Sequence, residues 1–189
     1  TDGLTPLELT AAYGTIANDG IFIEPIAFTK VLDRDGNILI DNEPKETVVV
    51  SPQIAYVLKD ILKDTVNSTR NSARRAAIPG MAVGGKTGTT QFGADIWFVG
   101  FTPYYVSGTW IGNDSQMLTI SRDSGTVASF WKYINEKIHT GLEKISSFTR
   151  PDGIVTVNVC TQSGLLPTDL CKDDPRHVIR SEIFAKGTE

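Results

Sequence analysis

Apolar residues recur along this chain with two different spacings, and the points where the spacing changes mark its elements. Thr5-Pro6-Leu7-Glu8 has the form of a capping box, with Thr5 at the N-cap, Pro6 in the first helical position and Glu8 at N3, while Leu4 and Leu9 stand where a hydrophobic staple would form. A helix is therefore predicted from Pro6, with Leu9, Ala12, Tyr13 and Ile16 on one face. It should end near Asn18-Asp19-Gly20, where Gly20 can take the left-handed conformation. Residues 28–32 and 38–40 are strand-like and flank the turn-rich Asp33-Arg34-Asp35-Gly36-Asn37, which predicts a hairpin. Ser51-Pro52 opens a second helix, whose Ile54, Val57, Leu58, Ile61, Leu62 and Val66 form a continuous stripe expected to face the core.

Asn67, Ser68, Asn71 and Ser72 interleave with Arg70, Arg74 and Arg75, which predicts a solvated loop. Three β-like runs follow at 81–90, 96–101 and 104–111, the last two separated by Thr102-Pro103, and they read as an antiparallel meander. From Thr126 to about Thr140, Val127, Trp131, Ile134 and Ile138 recur on one face, so an amphipathic helix should cover one side of that sheet. Beyond Arg150 the texture changes: Pro151-Asp152-Gly153 leads into an alternating strand at 154–159, then to Gly164, Pro167 and two cysteines. The chain thus divides into a larger unit, 1–150, and a small C-terminal tail module, 151–189.

Composition narrows the function classes. With 189 residues, 40% hydrophobic and 21% charged, the chain can build one domain with a core and a small appendage. Eighteen basic against twenty-two acidic residues give a net charge of −4, so no nucleic-acid partner and no general attraction to anionic lipid is expected. No apolar run approaches the ~20 residues that span a bilayer, and the N-terminus lacks the basic and apolar regions of a signal peptide, so any anchor or signal is expected outside this chain. Cys160 and Cys171 are the only cysteines. They form either a disulfide, worth about 2–3 kcal/mol for so short a loop and at home in an oxidising compartment, or two unpaired thiols, and their spacing leaves both readings open. Together with His177 they offer three ligands without a C-x-x-C pair, so no metal site is expected.

The candidate chemistry lies in Gly84-Gly85-Lys86-Thr87-Gly88-Thr89-Thr90, where a cation, three hydroxyls and three glycines fall within seven residues. Such a segment can hold an anion. It fits the nucleotide-binding pattern G-x-x-x-x-G-K-T from Gly80 and also the Lys-Thr-Gly signature of penicillin-interacting enzymes. A phosphate loop needs a buried strand before Gly80 and a helix starting at Lys86-Thr87. Instead Arg74-Arg75-Ala76-Ala77-Ile78-Pro79 precedes, Gly88, Thr89 and Thr90 are poor helix formers, and no strand ending in a Walker-B aspartate is evident downstream. As a strand beside a cleft, the same residues make sense. Lys86 can project into the cleft, Gly88 lets a substrate backbone approach, and Thr87 and Thr89, two apart, face one side and can grip a carboxylate beside the Lys86 ammonium. The exposed backbone can also pair with an extended peptide. The plain alternative is an ordinary edge strand rich in Gly and Thr.

Thr5-Pro6-Leu7-Glu8, Asn18-Asp19-Gly20, Lys86-Thr87-Gly88-Thr89-Thr90, Asp95-Ile96-Trp97-Phe98-Val99-Gly100-Phe101-Thr102-Pro103 and the closing Phe184-Ala185-Lys186-Gly187-Thr188-Glu189 occur in an order and spacing that resemble the C-terminal part of the transpeptidase domain of class A, bifunctional penicillin-binding proteins. The resemblance covers essentially the whole chain. It implies an α/β fold of the α+β type, penicillin-binding/serine β-lactamase-like, with an antiparallel sheet flanked by helices. Residues 1–150 would be the C-terminal portion of the transpeptidase domain, and this chain an incomplete part of the whole. It implies a D,D-transpeptidase that attacks the D-Ala-D-Ala end of a peptidoglycan stem peptide through an active-site serine, releases the last alanine and passes the acyl group to an amine. β-Lactam antibiotics mimic that substrate. Lys86 would supply positive potential and help the proton relay, Thr87 and Thr89 would bind the carboxylate, Gly88 would admit the substrate, and the Thr89 N–H would be one of two oxyanion-hole donors. No metal or organic cofactor is implied. The location implied is the extracytoplasmic face of the bacterial cell membrane, with the anchor in a segment outside this chain.

The family's other two motifs, S-x-x-K with the nucleophile and S-x-N, precede the Lys-Thr-Gly strand and are absent there. The one S-x-x-K string, Ser129-Phe130-Trp131-Lys132, comes after it and is predicted to project from the solvated face near Glu136, so no catalytic role is expected of it. The chain alone is therefore expected to be inactive and to fold only with a complementary N-terminal segment carrying both motifs; a complete five-stranded sheet of its own would contradict this. The alternative is a noncatalytic peptidoglycan- or peptide-binding module. Where many relatives have a Gly-Thr-Gly turn before the third motif, this chain has Asn67-Ser68-Thr69-Arg70-Asn71-Ser72-Ala73, which leaves the shape of that loop open.

Overall fold

Thr5 opens the first helix as its sequence requires. In a computed structural model of the chain, which describes residues 3–113, 119–120 and 123–188, α1 (Pro6–Ala17) begins with a closed capping box. The Glu8 N–H donates to Thr5 Oγ1 at 3.2 Å, and Glu8 Oε2 accepts both the Thr5 N–H and the Thr5 hydroxyl at 2.8 Å. Those bonds, the backbone one foremost, hold the Glu8 carboxyl below its ordinary value of 4.5. A lowered folded-state pKa means the box contributes fully above that ordinary value and is lost as the pH falls through the folded one. Thr5→Ala is thus expected to lower the thermal midpoint at pH 7, by a margin that shrinks on acidification; midpoints measured between pH 7 and 3 check this.

α1 ends at Asn18, after which Asp19 and Gly20 both take positive φ, 53° and 90°, and the Gly20 N–H returns to Thr15 O at 2.8 Å. Two small antiparallel ribbons follow. β1 (Ile21–Ile23) pairs with β4 (Glu46–Val48), and between them β2 (Lys30–Leu32) pairs with β3 (Ile38–Asp41) around a turn in which Asp33 Oδ1 accepts the N–H groups of Asp35 and Asn37, each at 2.9 Å.

α2 (Pro52–Asn67) starts where expected but faces elsewhere. It buries Ala55, Lys59 and Val66, whereas Ile54, Leu58 and Ile61 of the predicted core stripe are 48%, 37% and 56% exposed. Two polar contacts hold this rotation: the buried Lys59 ammonium meets the Asp19 carboxylate, and the Thr65 hydroxyl donates to Gly85 O. Turning the Ile54 stripe inward would break both. The expected solvated loop holds for Arg70, Arg74 and Arg75, which are exposed, but part of it is structured. Ser72–Ala76 forms a 3-10 turn because Ala73 and Ala76 plug the core, and Arg75 pairs with Asp123 at 3.2 Å.

The central sheet runs β5-β6-β7, formed by β5 (Gly84–Thr89), β6 (Asp95–Phe101) and β7 (Val106–Gly112), all antiparallel. β5 is shorter than predicted, since Met81, Ala82 and Val83 are buried coil and the Ala82 N–H goes to Ile145 O at 2.7 Å. Successive residues of a strand point to opposite faces. One face of β6, with Ile96 and Phe98, packs on α3 (Ser124–Ile138); the Phe98 and Trp131 rings meet edge-on at 5.1 Å, and Trp131 Nε1–H donates to Ser107 O at 3.0 Å. The other face meets α1, which lies so close that a Cβ on Gly108, the register partner of Val99, would strike the Thr10 hydroxyl.

α3 covers the sheet as expected, with a corrected inner face. Val127 and Trp131 are fully buried, but Ile134 and Ile138 are 39% and 49% exposed, and Asn135 and His139 take the inner positions. Those two polar residues are satisfied in place: Asn135 Nδ2 donates to Ser107 Oγ at 3.0 Å and Trp131 O at 2.9 Å, His139 Nδ1 donates to Asn135 O at 2.6 Å, and Nε2 meets the Thr102 hydroxyl at 2.8 Å.

After Arg150 the tail forms a ribbon of β8 (Ile154–Cys160) and β9 (Ile179–Ala185), in register from Ile154↔Ala185 to Cys160↔Ile179, with the single turn α4 (Asp169–Lys172) in the connection. The tail is tied to α2, since Gln53 Nε2 donates to Asp152 O at 2.8 Å and Arg180 pairs with Asp64 at 3.4 Å. The last residue of the closing run, Glu189, lies outside the described residues.

Candidate active site

Lys86, Thr87, Gly88 and Thr89 all lie on β5, an edge strand of the central sheet. Which of their backbone groups are free follows from two hydrogen bonds. The Thr90 N–H donates to Asp95 O at 3.1 Å, so residue 90 turns its amide toward β6, while Gly85 O receives the Thr65 hydroxyl and so points away. In an antiparallel pair this direction alternates residue by residue. Thr87 and Thr89 therefore aim N–H and C=O away from β6, and Gly88 aims its own inward. α2 occupies the edge at Gly85 through Thr65.

Alternation also separates the side chains. Thr87 and Thr89 stand opposite Phe98 and Ile96 on the α3 face, whereas Lys86 and Gly88 stand opposite Val99 and Trp97 on the α1 face. The lysine rejoins the threonines at the edge: its Nζ donates to Thr87 O at 2.8 Å. An ammonium and two outward backbone N–H groups so converge on one stretch of strand, while the two threonine side chains stand on its α3 face. The groove along it is about 270 Å³ and is lined by Leu9, Tyr13, Lys86, Thr87, Gly88, Thr89, Thr90, Trp97 and Val99.

The glycines of β5 serve different ends. A Cβ on Gly84 or Gly85 would come within 2.6 Å of the Phe101 or Phe98 ring, so packing alone demands glycine at both. At Gly88 a Cβ would meet only the Trp97 side chain, with Cβ at 3.4 Å and Cγ at 4.0 Å, ordinary contacts. The fold does not need a glycine at 88. Just beyond, Asp95 clamps the hairpin, accepting from the Thr90 hydroxyl and from Trp110 Nε1–H, both at 2.9 Å, while its own N–H donates to Thr90 Oγ1 at 2.9 Å.

Leu9, Tyr13 and Trp97 are groove residues that the sequence did not single out as functional. The signal was there for the helix pair, spaced i, i+4, but it read as a core stripe. Burial pushes the Tyr13 phenol up from its ordinary value. Ser129 and Lys132 sit as expected on the outer side of α3: the Ser129 hydroxyl donates to Gly125 O at 2.9 Å, and Lys132 pairs with Glu136 at 3.7 Å. Cys160 and Cys171 are free thiols in this structure, Cys160 buried and Cys171 half-buried.

Residues 2–115 match the family described as the penicillin binding protein transpeptidase domain, and residues 150–189 match the penicillin-binding protein 1A C-terminal domain. Penicillin-binding protein 1A of Clostridium tetani is 36% identical over 191 residues, an alignment covering 98% of this chain and 24% of that protein. The protein of the same name from Aquifex aeolicus is 35% identical and covered to 98% and 25%. The chain thus spans about a quarter of the length of these relatives. Among solved structures, penicillin-binding protein 1A from Haemophilus influenzae superimposes with a TM-score of 0.78 at 25% identity, over 98% of this chain and 32% of that one. With the family match over more than half its length and with these relatives, the chain belongs to the penicillin-binding protein transpeptidase family.

Proposed function

We propose that this chain supplies the Lys-Thr-Gly wall of a serine D,D-transpeptidase that cross-links peptidoglycan stem peptides and is acylated by β-lactams, with the nucleophile provided by a preceding segment. The observation that carries this reading is the open edge at Thr87–Thr89, with the Lys86 ammonium folded onto it and space above Gly88. A stem peptide ending in D-Ala-D-Ala lies along that edge as an added strand. The Thr87 and Thr89 hydroxyls and the Lys86 charge hold its terminal carboxylate. When the serine attacks the penultimate carbonyl, negative charge develops on its oxygen, and the Thr89 N–H, already free of β6, donates to it. Lys86 supports the proton relay that ends with the amine of a second peptide taking the acyl group. No metal or organic cofactor enters the scheme. Such a reaction belongs at the extracytoplasmic face of the bacterial membrane; among the described residues no helix is long and apolar enough to cross one.

The need for that segment rests on the surfaces left uncovered. Among the described residues the central sheet has three strands. Ile54, Leu58 and Ile61 face outward, and an apolar hollow of about 650 Å³ opens between α1 and the ribbon, lined by Leu7, Ile16, Phe22, Val49, Val50 and Leu58 among others. Residues 1–150 act as the C-terminal portion of the transpeptidase domain, completed by a segment carrying S-x-x-K and S-x-N, and 151–189 pack beside it as a tail module.

The test is to combine this chain with the preceding segment and a fluorescent penicillin. A covalent adduct on the other segment, formed only when both are present, is the expected result. Stem-peptide binding without any adduct would instead make this a noncatalytic peptidoglycan-binding module. Gly88→Ala adds a sharper check. It should leave unfolding within about 1 kcal/mol of wild type, because the methyl finds ordinary space, yet slow acylation about tenfold or more by crowding the ligand's path.

A further inference from the structure

We propose that Phe92, held out at the tip of the β5–β6 turn, is a specificity-determining contact for an apolar group that the ligand carries on the acyl side of its reacting carbonyl; the inference rests on the acyl-transfer reading of the Thr87–Thr89 edge. Among the described residues three that are not glycine have positive φ: Asp19, Phe92 and His177. Aspartate and histidine enter that region comparatively readily, whereas a bulky side chain there is an outlier. Phe92 sits at φ 60° and ψ 10°, and Gly93 follows at φ 65°. Two consecutive left-handed residues in a hairpin turn are usually Asn-Gly or Asp-Gly. The glycine suits such a turn, and the phenylalanine does not.

The turn holds the backbone in this conformation. The Gly93 N–H donates to Thr90 O at 3.0 Å, the Ile120 N–H donates to Gly93 O at 2.7 Å, and Asp95 clamps the strand ends through the Thr90 hydroxyl and the Trp110 indole, both at 2.9 Å. The side chain returns nothing to the fold. At 88% exposure Phe92 is the most exposed large hydrophobic among the described residues. A disfavoured conformation kept by a residue that packs on nothing marks a position shaped by function rather than by folding.

The direction of the edge says what the ring meets. With the ligand carboxylate beside Lys86 and Thr87 and the reacting carbonyl at the Thr89 N–H, the ligand runs along β5 from residue 87 toward 89. An extended chain advances about 3.3 Å per residue, so its next unit on the acyl side lies past Thr89, level with the turn that carries Phe92. In a stem peptide that unit is the side chain of the residue before D-Ala-D-Ala; in a penicillin it is the acyl substituent. An exposed aromatic ring there covers an aliphatic or aryl group of either.

Acylation rates test this, measured on this chain combined with its preceding segment, as wild type, Phe92→Asn and Phe92→Tyr. The probes are benzylpenicillin and aminopenicillanic acid, which carries no acyl group. Phe92→Asn should cut the ratio of the two rates about fivefold or more, and Phe92→Tyr should preserve it. Phe92→Asn should also raise the thermal midpoint, by about 2 °C, because asparagine adopts the left-handed conformation more readily. Peptides with leucine or glycine before D-Ala-D-Ala form a second arm, read as D-alanine release. A fall in the leucine-over-glycine ratio in Phe92→Asn assigns the contact to the peptide as well, and a fall with penicillin alone assigns it to the drug. An adduct with unchanged ratios in both arms, or a lowered midpoint in Phe92→Asn, which would mean that the ring packs on the preceding segment, overturns this inference alone. No adduct in the wild type would overturn the acyl-transfer reading and this inference with it.

Discussion

Thr89→Pro in the completed domain is expected to slow acylation by penicillin about 100- to 1,000-fold, the range for losing one oxyanion donor, while the sheet stays folded. Proline removes one backbone N–H, and at position 89 that group points away from β6, so no ladder bond is lost. Gly88 before it is already extended, as a residue preceding proline prefers. Thr90→Pro is the contrast. The Thr90 N–H is bound to Asp95 O, and its loss should unfasten the end of the hairpin and lower stability. Thr89→Ala separates the donor from the side chain, since it removes the hydroxyl and keeps the N–H. Rapid-quench acylation rates and circular dichroism on the three variants decide the matter; unchanged acylation in folded Thr89→Pro would remove Thr89 from the oxyanion hole.

Trp131→Ala should cost about 3–5 kcal/mol of unfolding free energy, the usual range for emptying a large aromatic site in a core. Trp131 is fully buried, its ring packs edge-on against Phe98, and its indole N–H satisfies Ser107 O, so truncation leaves both a cavity and an orphaned carbonyl. Denaturant unfolding of the completed domain should show a lowered midpoint with an unchanged slope. The effect should reach the site. Phe98 is the register partner of Thr87, so loosening the ring behind β6 loosens the strand that carries the threonines. Trp131→Phe, which refills most of the volume but not the hydrogen bond, should lose less.

Much of this architecture could be read from local pattern. The Thr5 box, the turn at Asp33 and the three-strand meander depend on residues within a few positions of one another, and each formed close to where the sequence predicted, with β5 starting at Gly84 and β7 at Val106. What failed was the choice of inward face. A stripe such as Ile54-Leu58-Ile61 states that a helix has an apolar side, not which neighbour will meet it. Distant polar partners decided instead: Asp19 for Lys59, Gly85 O for Thr65, Thr102 for His139. Buried Lys59, Asn135 and His139 count against burial in any hydrophobicity pattern, so helix rotation set by them was not legible. The residues of the candidate site were legible as a motif. Their place on an exposed strand was legible too; which backbone groups face outward was not, because that depends on hydrogen-bond direction along β5, and Tyr13 joined the groove through the approach of α1 rather than through any motif.

The open edge has a cost apart from chemistry. A strand that offers unpaired backbone to a ligand also offers it to another copy of itself, and long flat edges nucleate aggregates. Here the vulnerable stretch is kept short. The Thr65 hydroxyl closes it at Gly85, the Asp95 clamp closes it past Thr89, and the charged end of Lys86 already sits on the Thr87 carbonyl between them. Neutralising that lysine would therefore be expected to lower the concentration at which the protein precipitates, making Lys86 a guard against self-association.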